Sequence, residues 1–380
     1  MEIYLDNSAT TRPYKEVAET VADVMFNAYG NPSSLHRLGV EAEALIKQSR
    51  ERIAATIKAD PREIFFTSGG TESNNLAIMG VCRAKRGRHI IATPIEHPAT
   101  MNTLGYMAEN GYKVDYVPVD KDGKVKLKEF ERLIRPDTVL VTAMMVNNEI
   151  GTIEPISDMI SVLKRKNGGA FFHVDAVQAY GKLPINLNIL KADLMSLSSH
   201  KIHGPKGVGA LYIRRGTKIA PIIFGGGQQG NIRPGTENVP GIAGFGLAAK
   251  LANNDLTAKA NKMEQLKDRL LSGIKENVDN ICVNTPAGQA PHILNVSFGG
   301  VRSEVLLHSL EMRDIFVSSG SACSSHKKGQ SYVLTEIGTD KNMIDGSIRF
   351  SLSEFTTDEE IDTVIEELTK IVRRLRKLNI

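Results

Sequence analysis

Between about residues 60 and 215, short β-branched, apolar runs alternate with longer stretches whose apolar positions recur at helical spacing. The short runs predict strands at 63–67, 88–92, 114–117, 138–146, 170–174, 194–197 and 208–213. Helical spacing between them predicts helices such as 74–86, 127–134 and 156–166. The run VLVTAMMV (139–146) is apolar nearly throughout instead of alternating, as a strand covered on both faces requires. Strands alternating with helices predict a mostly parallel α/β sheet. After residue 245 the pattern changes to a long helix (256–274), the segments ILNVSF, SEVLLHSLEM and SIRFSL, and a closing amphipathic helix. For that last helix Thr357 and Glu360 fit a capping box, and Ile361, Val364, Ile365, Leu368, Val372 and Leu375 share one face. The expected fold is α/β. A large domain over 14–245 carries a mostly parallel seven-stranded sheet, and 1–13 with 246–380 form a smaller α+β domain.

The composition of the 380 residues, 41% hydrophobic and 24% charged, is that of an ordinary globular chain. With 47 basic and 43 acidic residues, a net charge of +4 gives no reason to expect direct nucleic-acid or membrane binding. Cys82, Cys282 and Cys323 are too few and too scattered for a disulfide framework, and no CxxC pair suggests zinc. No apolar run approaches the roughly 20 residues of a membrane span. Asp6 interrupts any secretory signal, so a reducing cytoplasm is the expected location.

Against that background a few segments carry chemistry. FFTSGGTESNN (65–75) runs from a strand through a glycine turn into a helix start, which can cradle a phosphate with Gly70 and Thr71. It also reads as a plain strand-to-helix turn with a Ser/Thr cap. GGGQQG (225–230) formally fits the dinucleotide fingerprint, but NIRPG and not a helix follows it, so a flexible loop is expected. HVDAVQ (173–178) places Asp175 and Gln178 at a strand's carboxyl end, where α/β sheets build their sites. SLSSHKIHGPKGVG (196–209) sets Ser198, His200 and Lys201 at the end of the next strand. His200 and His203 lack a third ligand, so no metal is expected.

Most lysines are surface residues, and alone Lys201 would be read as one. A phosphate cradle, a strand-end carboxylate and a nearby lysine together are what pyridoxal phosphate needs. His97 in IEHPA could stack on such a ring, although a lone histidine is more often structural. Cys82 and Cys282 sit in apolar patterns and are expected in the core. Cys323, in SSGSACSSHKKGQS, has polar neighbours and reads as an accessible thiol.

With these motifs in hand, the chain resembles the cysteine desulfurases of the NifS/IscS type, within the aminotransferase class V family of pyridoxal phosphate enzymes. The resemblance spans essentially the whole chain: YLDNSATT, GNPSSLH, FTSGGTESNNLAI, EHPA, VNNEIGT, HVDAVQ, SSHKIHGPKGVGALY, RPGTEN, SSGSAC and SIRFSLS. It implies the fold type I architecture, with Lys201 as the Schiff-base lysine and Asp175 on the ring nitrogen. It further implies Gln178 on the phenolate oxygen and His97 stacked on the ring. Gly70, Thr71, Ser198 and His200 would hold the phosphate, with Thr236 contributed by the other subunit of a homodimer. Asn148 would contact cofactor and substrate, Arg349 would bind the substrate carboxylate, and Cys323 would be the nucleophile.

The implied reaction converts L-cysteine to L-alanine and leaves a persulfide on Cys323. An acceptor protein would then take the sulfur, either an iron–sulfur scaffold or a transfer-RNA or thiamine sulfurtransferase. Related chains often carry a scaffold-docking tail beyond the last helix. Here the sequence stops soon after RRLRK, which favours a dedicated acceptor. A class V aminotransferase or selenocysteine lyase would share Lys201 and Asp175, and a non-catalytic sulfur carrier would share only the fold.

Overall fold

The computed structural model describes residues 2–319 and 331–378. Among these the strands are β1 (Ile3–Tyr4), β2 (Ile64–Thr67), β3 (His89–Ala92), β4 (Lys113–Tyr116), β5 (Thr138–Met144), β6 (Phe171–Asp175) and β7 (Leu194–Ser198). They continue with β8 (Gly209–Ile213), β9 (Ile281–Val283), β10 (Ile293–Phe298), β11 (Ile315–Phe316), β12 (Ser318–Ser319) and β13 (Ser347–Ser351). All seven strands expected between residues 60 and 215 join one sheet, in the order β2-β8-β7-β6-β5-β3-β4. The pairs β7–β6, β6–β5, β5–β3 and β3–β4 are parallel. β8 runs antiparallel to both β7 and β2, which makes the sheet mostly parallel. Every residue of β5 is buried, the outcome its unbroken apolar run predicts.

The later part of the chain builds a second, antiparallel sheet in the order β12-β13-β10-β9. Its own apolar core joins Leu270, Ile274, Val296, Phe350 and Leu368 to Ile3 and Leu5 from the start of the chain. The N-terminal residues reach it through β1, which pairs in parallel with β11, and through the bridge Asp6–Ser351. The closing helix, Asp358–Lys377, has the expected capping box. The Thr357 hydroxyl accepts from the Glu360 N–H at 3.2 Å, and the Glu360 carboxylate accepts from the Thr357 N–H at 2.9 Å.

Two helices that precede the large sheet, Lys15–Asn27 and Arg37–Ile57, add to the expected elements. Helix Val239–Asn253 runs through residue 245, and its Ala248, Ala249 and Ala252 pack into the core around the large sheet. The GGGQQG segment is fastened rather than loose. Buried Gln229 accepts from the Phe66 N–H of edge strand β2 at 2.9 Å and from Arg50 at 3.2 Å. Cys82 lies in the core, where burial pushes its thiol up to about 12. Cys282 is only half-buried, a departure from expectation that follows from β9 being an edge strand. No helix among the described residues is long and apolar enough to cross a membrane.

Candidate active site

The carboxyl ends of β3, β5, β6 and β7 share one edge of the large sheet, and most expected site residues gather there. Asp175 closes β6 and is buried. Its Oδ2 accepts from the Asn74 side-chain amide at 2.6 Å and its Oδ1 from the Val177 N–H at 3.0 Å. Two residues earlier on the same face of β6, His173 is clamped between Thr142 and Ser196 hydroxyls, each at 2.8 Å. Full burial pushes its pKa down to about 4, so this ring is a neutral packing group.

Lys201 ends the single 3-10 turn Ser199–Lys201 that follows β7. Its ammonium donates to the main-chain oxygens of Ser8 and, at 2.7 Å, Ala9. Gln178 donates its side-chain amide to the same Ser8 oxygen at 2.9 Å, which brings the two residues to one point. His97 caps helix Pro98–Glu109 by accepting the Ala99 N–H on Nδ1 at 3.1 Å, which leaves the ring proton on Nε2. Burial lowers its pKa, Asp175 opposes the shift and Lys201 reinforces it, so the ring is neutral and lies in the field of both. His200 is held near Thr10 at 3.2 Å, and burial with the charges of Lys201 and Lys206 pushes it down to about 4.

The turn expected to cradle an anion opens helix Gly70–Ala84. No side chain caps this helix, so its first N–H groups are left for a ligand. Glycine is required there on both sides of the turn. A Cβ on Gly70 would lie 2.8 Å from the Val177 side chain, and one on Gly209 of β8 would lie 2.7 Å from the Gly69 Cα. A cavity of about 560 Å³ opens beside the cradle, with Thr71 and His97 among its walls.

Arg349 lies on β13, buried, with one nitrogen donating to the Asn148 main-chain oxygen at 2.9 Å and another paired with Asp6 at 2.8 Å. Asn148 and Arg349 are therefore joined. Ser318 of β12 is the register partner of Arg349, and Ser331 donates to Glu149, next to Asn148, at 2.5 Å. Both stems of the 320–330 segment are thus fixed beside Arg349. Cys323 itself lies outside the described residues. Thr236 does not join the cluster within one chain. It is exposed in a loop tied to helix Gly70–Ala84 by the ion pair of Arg233 with Glu72 at 2.8 Å.

Sequence reasoning passed over Asp6, the Ser8 and Ala9 carbonyls, and Asn74. All four lie inside motifs already noted, YLDNSATT and FTSGGTESNN, but only the folded chain shows what they touch.

The aminotransferase class-V family matches residues 3–364. This chain belongs to that family. Among class-V relatives, the cysteine desulfurase IscS of Dictyoglomus turgidum is 42% identical over 381 residues, covering 100% of this chain and 96% of its own. The human cysteine desulfurase is 42% identical over 383 residues, covering 99% of this chain and 83% of its own. Among solved structures, a NifS-like protein superposes with a TM-score of 0.93 at 42% identity, covering 98% of this chain and 100% of that one. SspA in complex with cysteine gives a TM-score of 0.82 at 34% identity, covering 94% of this chain and 100% of that one.

The family is one of pyridoxal phosphate enzymes of fold type I, and the residues present fit that cofactor. Four polar atoms of the cluster, Ser8 Oγ, Asn148 Oδ1, Ser198 Oγ and Arg349 Nε, are buried with no hydrogen-bond partner among the described residues. Buried polar groups left unpaired in a folded protein ask for a ligand or water. The uncapped helix start suits a phosphate, and among the described residues Asp175 has no ion-pair partner. Its charge is available to a protonated ring nitrogen.

Proposed function

We infer that this protein is a cysteine desulfurase, which takes sulfur from L-cysteine, releases L-alanine and carries the sulfur as a persulfide on Cys323. The observation that carries the reading is the convergence of Lys201, Asp175 and His97 at one sheet edge with an open anion cradle. Relatives named for this activity match the full length at 42% identity, which supports the choice of substrate. When bound, pyridoxal phosphate supplies the electron sink that lets the substrate's Cα–H bond break and weakens its C–S bond.

In the roles we propose, Lys201 attaches the cofactor covalently through Nζ, and once displaced accepts the α-proton of L-cysteine. The Ser8 and Ala9 oxygens hold that nitrogen in place. Asp175 would keep the ring nitrogen protonated, Gln178 would bond the ring oxygen and neutral His97 would pack on the ring. Gly70, Thr71, Ser198 and His200 would hold the phosphate, with Thr236 contributed by a second subunit. Arg349 turns its unpaired Nε and the nitrogen now on Asp6 toward the substrate carboxylate, with Asn148 beside it. The Cys323 thiolate attacks the substrate sulfur. A new S–S bond forms as the C–S bond breaks, that electron pair returns to the carbon, and protonation there completes alanine. Purified enzyme given L-cysteine and a thiol is expected to release alanine and sulfide in equal amounts without any α-keto acid. A keto-acid requirement would instead identify an aminotransferase.

A second copy of the chain fits the exposed apolar side chains of the loops around Leu35 and Phe224. Leu35 is 99% exposed, Phe26 83% and Phe224 78%. The loops that carry Leu35 and Phe224 meet, because Pro32, Ser33 and Gly227 to Gly230 line one cavity of about 540 Å³. Apolar surface of this kind marks association. Leu35→Glu is expected to halve the mass seen in sedimentation and to weaken cofactor retention, since the partner's Thr236 is lost with it. An unchanged mass would place the interface elsewhere.

The acceptor we propose is a protein that receives the persulfide sulfur, an iron–sulfur scaffold or a thiolation enzyme, in a reducing cytoplasm. The division between the two domains falls, in our reading, near Asn254 and Asp255, where Asp255 takes a left-handed conformation (φ 52°) between two helices.

A further inference from the structure

Glu96 immediately precedes His97 and is fully buried. Its Oε1 accepts from the Thr93 hydroxyl at 2.6 Å and from the Met144 N–H at 2.9 Å. Met144 is the register partner of Asp175 across β5 and β6, so the Glu96 carboxyl is fixed against the strand pair that ends in Asp175. Its Oε2 is buried without a partner among the described residues. The charges that act on it are both carboxylates, Asp175 at the end of β6 and Glu154 just before helix Ile156–Lys166. Tyr332, from helix Tyr332–Glu336, donates to the Glu96 main-chain oxygen, and the adjoining His97 is neutral. Among the described residues no lysine or arginine is paired with Glu96.

Resting on the function inferred above, we propose that Glu96 is a positioning residue that stays a neutral carboxylic acid in the working enzyme. Asp175 is thereby left as the ionised carboxylate for the cofactor's ring nitrogen. In that reading Asp175 faces the protonated ring nitrogen, whereas among the described residues Glu96 is paired with no cation, so its anion would be buried uncompensated. The hydrogen bonds decide which one keeps the proton. Asp175 receives an N–H on each oxygen, which favours its anion. Glu96 receives both of its donors on Oε1, so Oε2 is the atom left to carry a proton. An O–H without an acceptor costs far less there than an anionic oxygen without a donor. Burial and the two neighbouring carboxylates push Glu96 up to about 8. Glu154 behind it is likewise raised to about 8, mainly by its own burial. Glu96 is therefore the carboxyl that keeps its proton.

A buried glutamic acid that keeps its proton has a signature that a buried ionised carboxylate lacks. An unfolded chain loses the Glu96 proton above its ordinary pKa, whereas the folded chain keeps it up to about 8. Stability supplied by the wild-type residue is therefore present at low pH and lost as pH rises through that window. Glu96→Gln keeps an acceptor for Thr93 and Met144 and has no such loss. In the cofactor-loaded protein, E96Q is expected to melt with the wild type near about pH 5 and at clearly higher temperature near about pH 8. Its cofactor absorbance and the pH titration of that absorbance should match the wild type.

A melting difference that does not change with pH overturns the proposal, as does a shifted absorbance titration, which would mean the site uses the Glu96 charge. If E96Q does not fold, infrared spectra of E149Q/E154Q, which lacks the two other buried glutamates beside the site, decide the matter. A protonated-carboxyl band at neutral pH supports the proposal and its absence overturns it. Wild-type protein without any cofactor absorbance would overturn the enzyme reading itself. A normal cofactor spectrum with a flat melting difference overturns only the role of Glu96.

Discussion

Lys201→Ala is expected to yield protein that no longer fixes its cofactor covalently. Borohydride, which locks the attachment in place in the wild type, should leave the cofactor free to be removed on denaturation. Turnover should fall by roughly 10³-fold or more, because one substitution removes both the point of attachment and the base that takes the α-proton. The fold should survive. Ser8 O keeps the Gln178 amide, and the exposed Ala9 carbonyl can turn to water. Fixation at wild-type yield would place the reactive amine on another lysine.

Cys323→Ser should separate cofactor chemistry from sulfur transfer. The variant is expected to keep the cofactor's colour and its spectral response to L-cysteine, yet to form no persulfide when labelled cysteine is supplied. Alanine and sulfide release should collapse with it. The serine hydroxyl ionises far less readily than a thiol and cannot serve as the sulfur acceptor. Chain length makes the assignment physically sound. Residue 323 is four positions from Ser319 on β12, a span of at most about 14 Å. Ser319 is next to the register partner of Arg349. A tether of that length is short enough for the proposed role. Undiminished alanine and sulfide release from the variant in the presence of dithiothreitol would sink this role.

The large sheet was legible because its strands declare themselves locally. Runs such as 139–146 have no polar face, and the strand-to-helix alternation leaves few topologies. The placement of Asp175 and Lys201 at strand ends was legible for the same reason. Position along a strand translates directly into position on the sheet edge. Helix Val239–Asn253 shows where this stops. Its stretch GIAGFGLAA has little periodic contrast, so nothing local indicated that it continues past residue 245 into the large core. Glu96 shows it again. A glutamate beside a histidine reads as polar surface until β5 and Tyr332 are packed over it. Asp6, Ser8 and Ala9 were illegible for a different reason, since their partners lie 343 residues away for Asp6 and 193 and 192 for the two carbonyls. Contacts at such separation leave no pattern in any window of sequence.

That separation also dictates when the enzyme can come into being. During synthesis the segment that becomes β1 and the carbonyls beneath Lys201 leaves the ribosome well before the strand it docks on. Leu5 accepts the Ser351 N–H at 2.7 Å, and Asp6 meets Arg349, 343 residues further along the chain. The large sheet can condense on the nascent chain, as domains generally do. Its lysine nevertheless lacks the acceptors that aim it until β13 emerges and the amino terminus is threaded into place. A product truncated before β13 would thus carry Lys201 without the docked Ser8 and Ala9 oxygens that hold its ammonium.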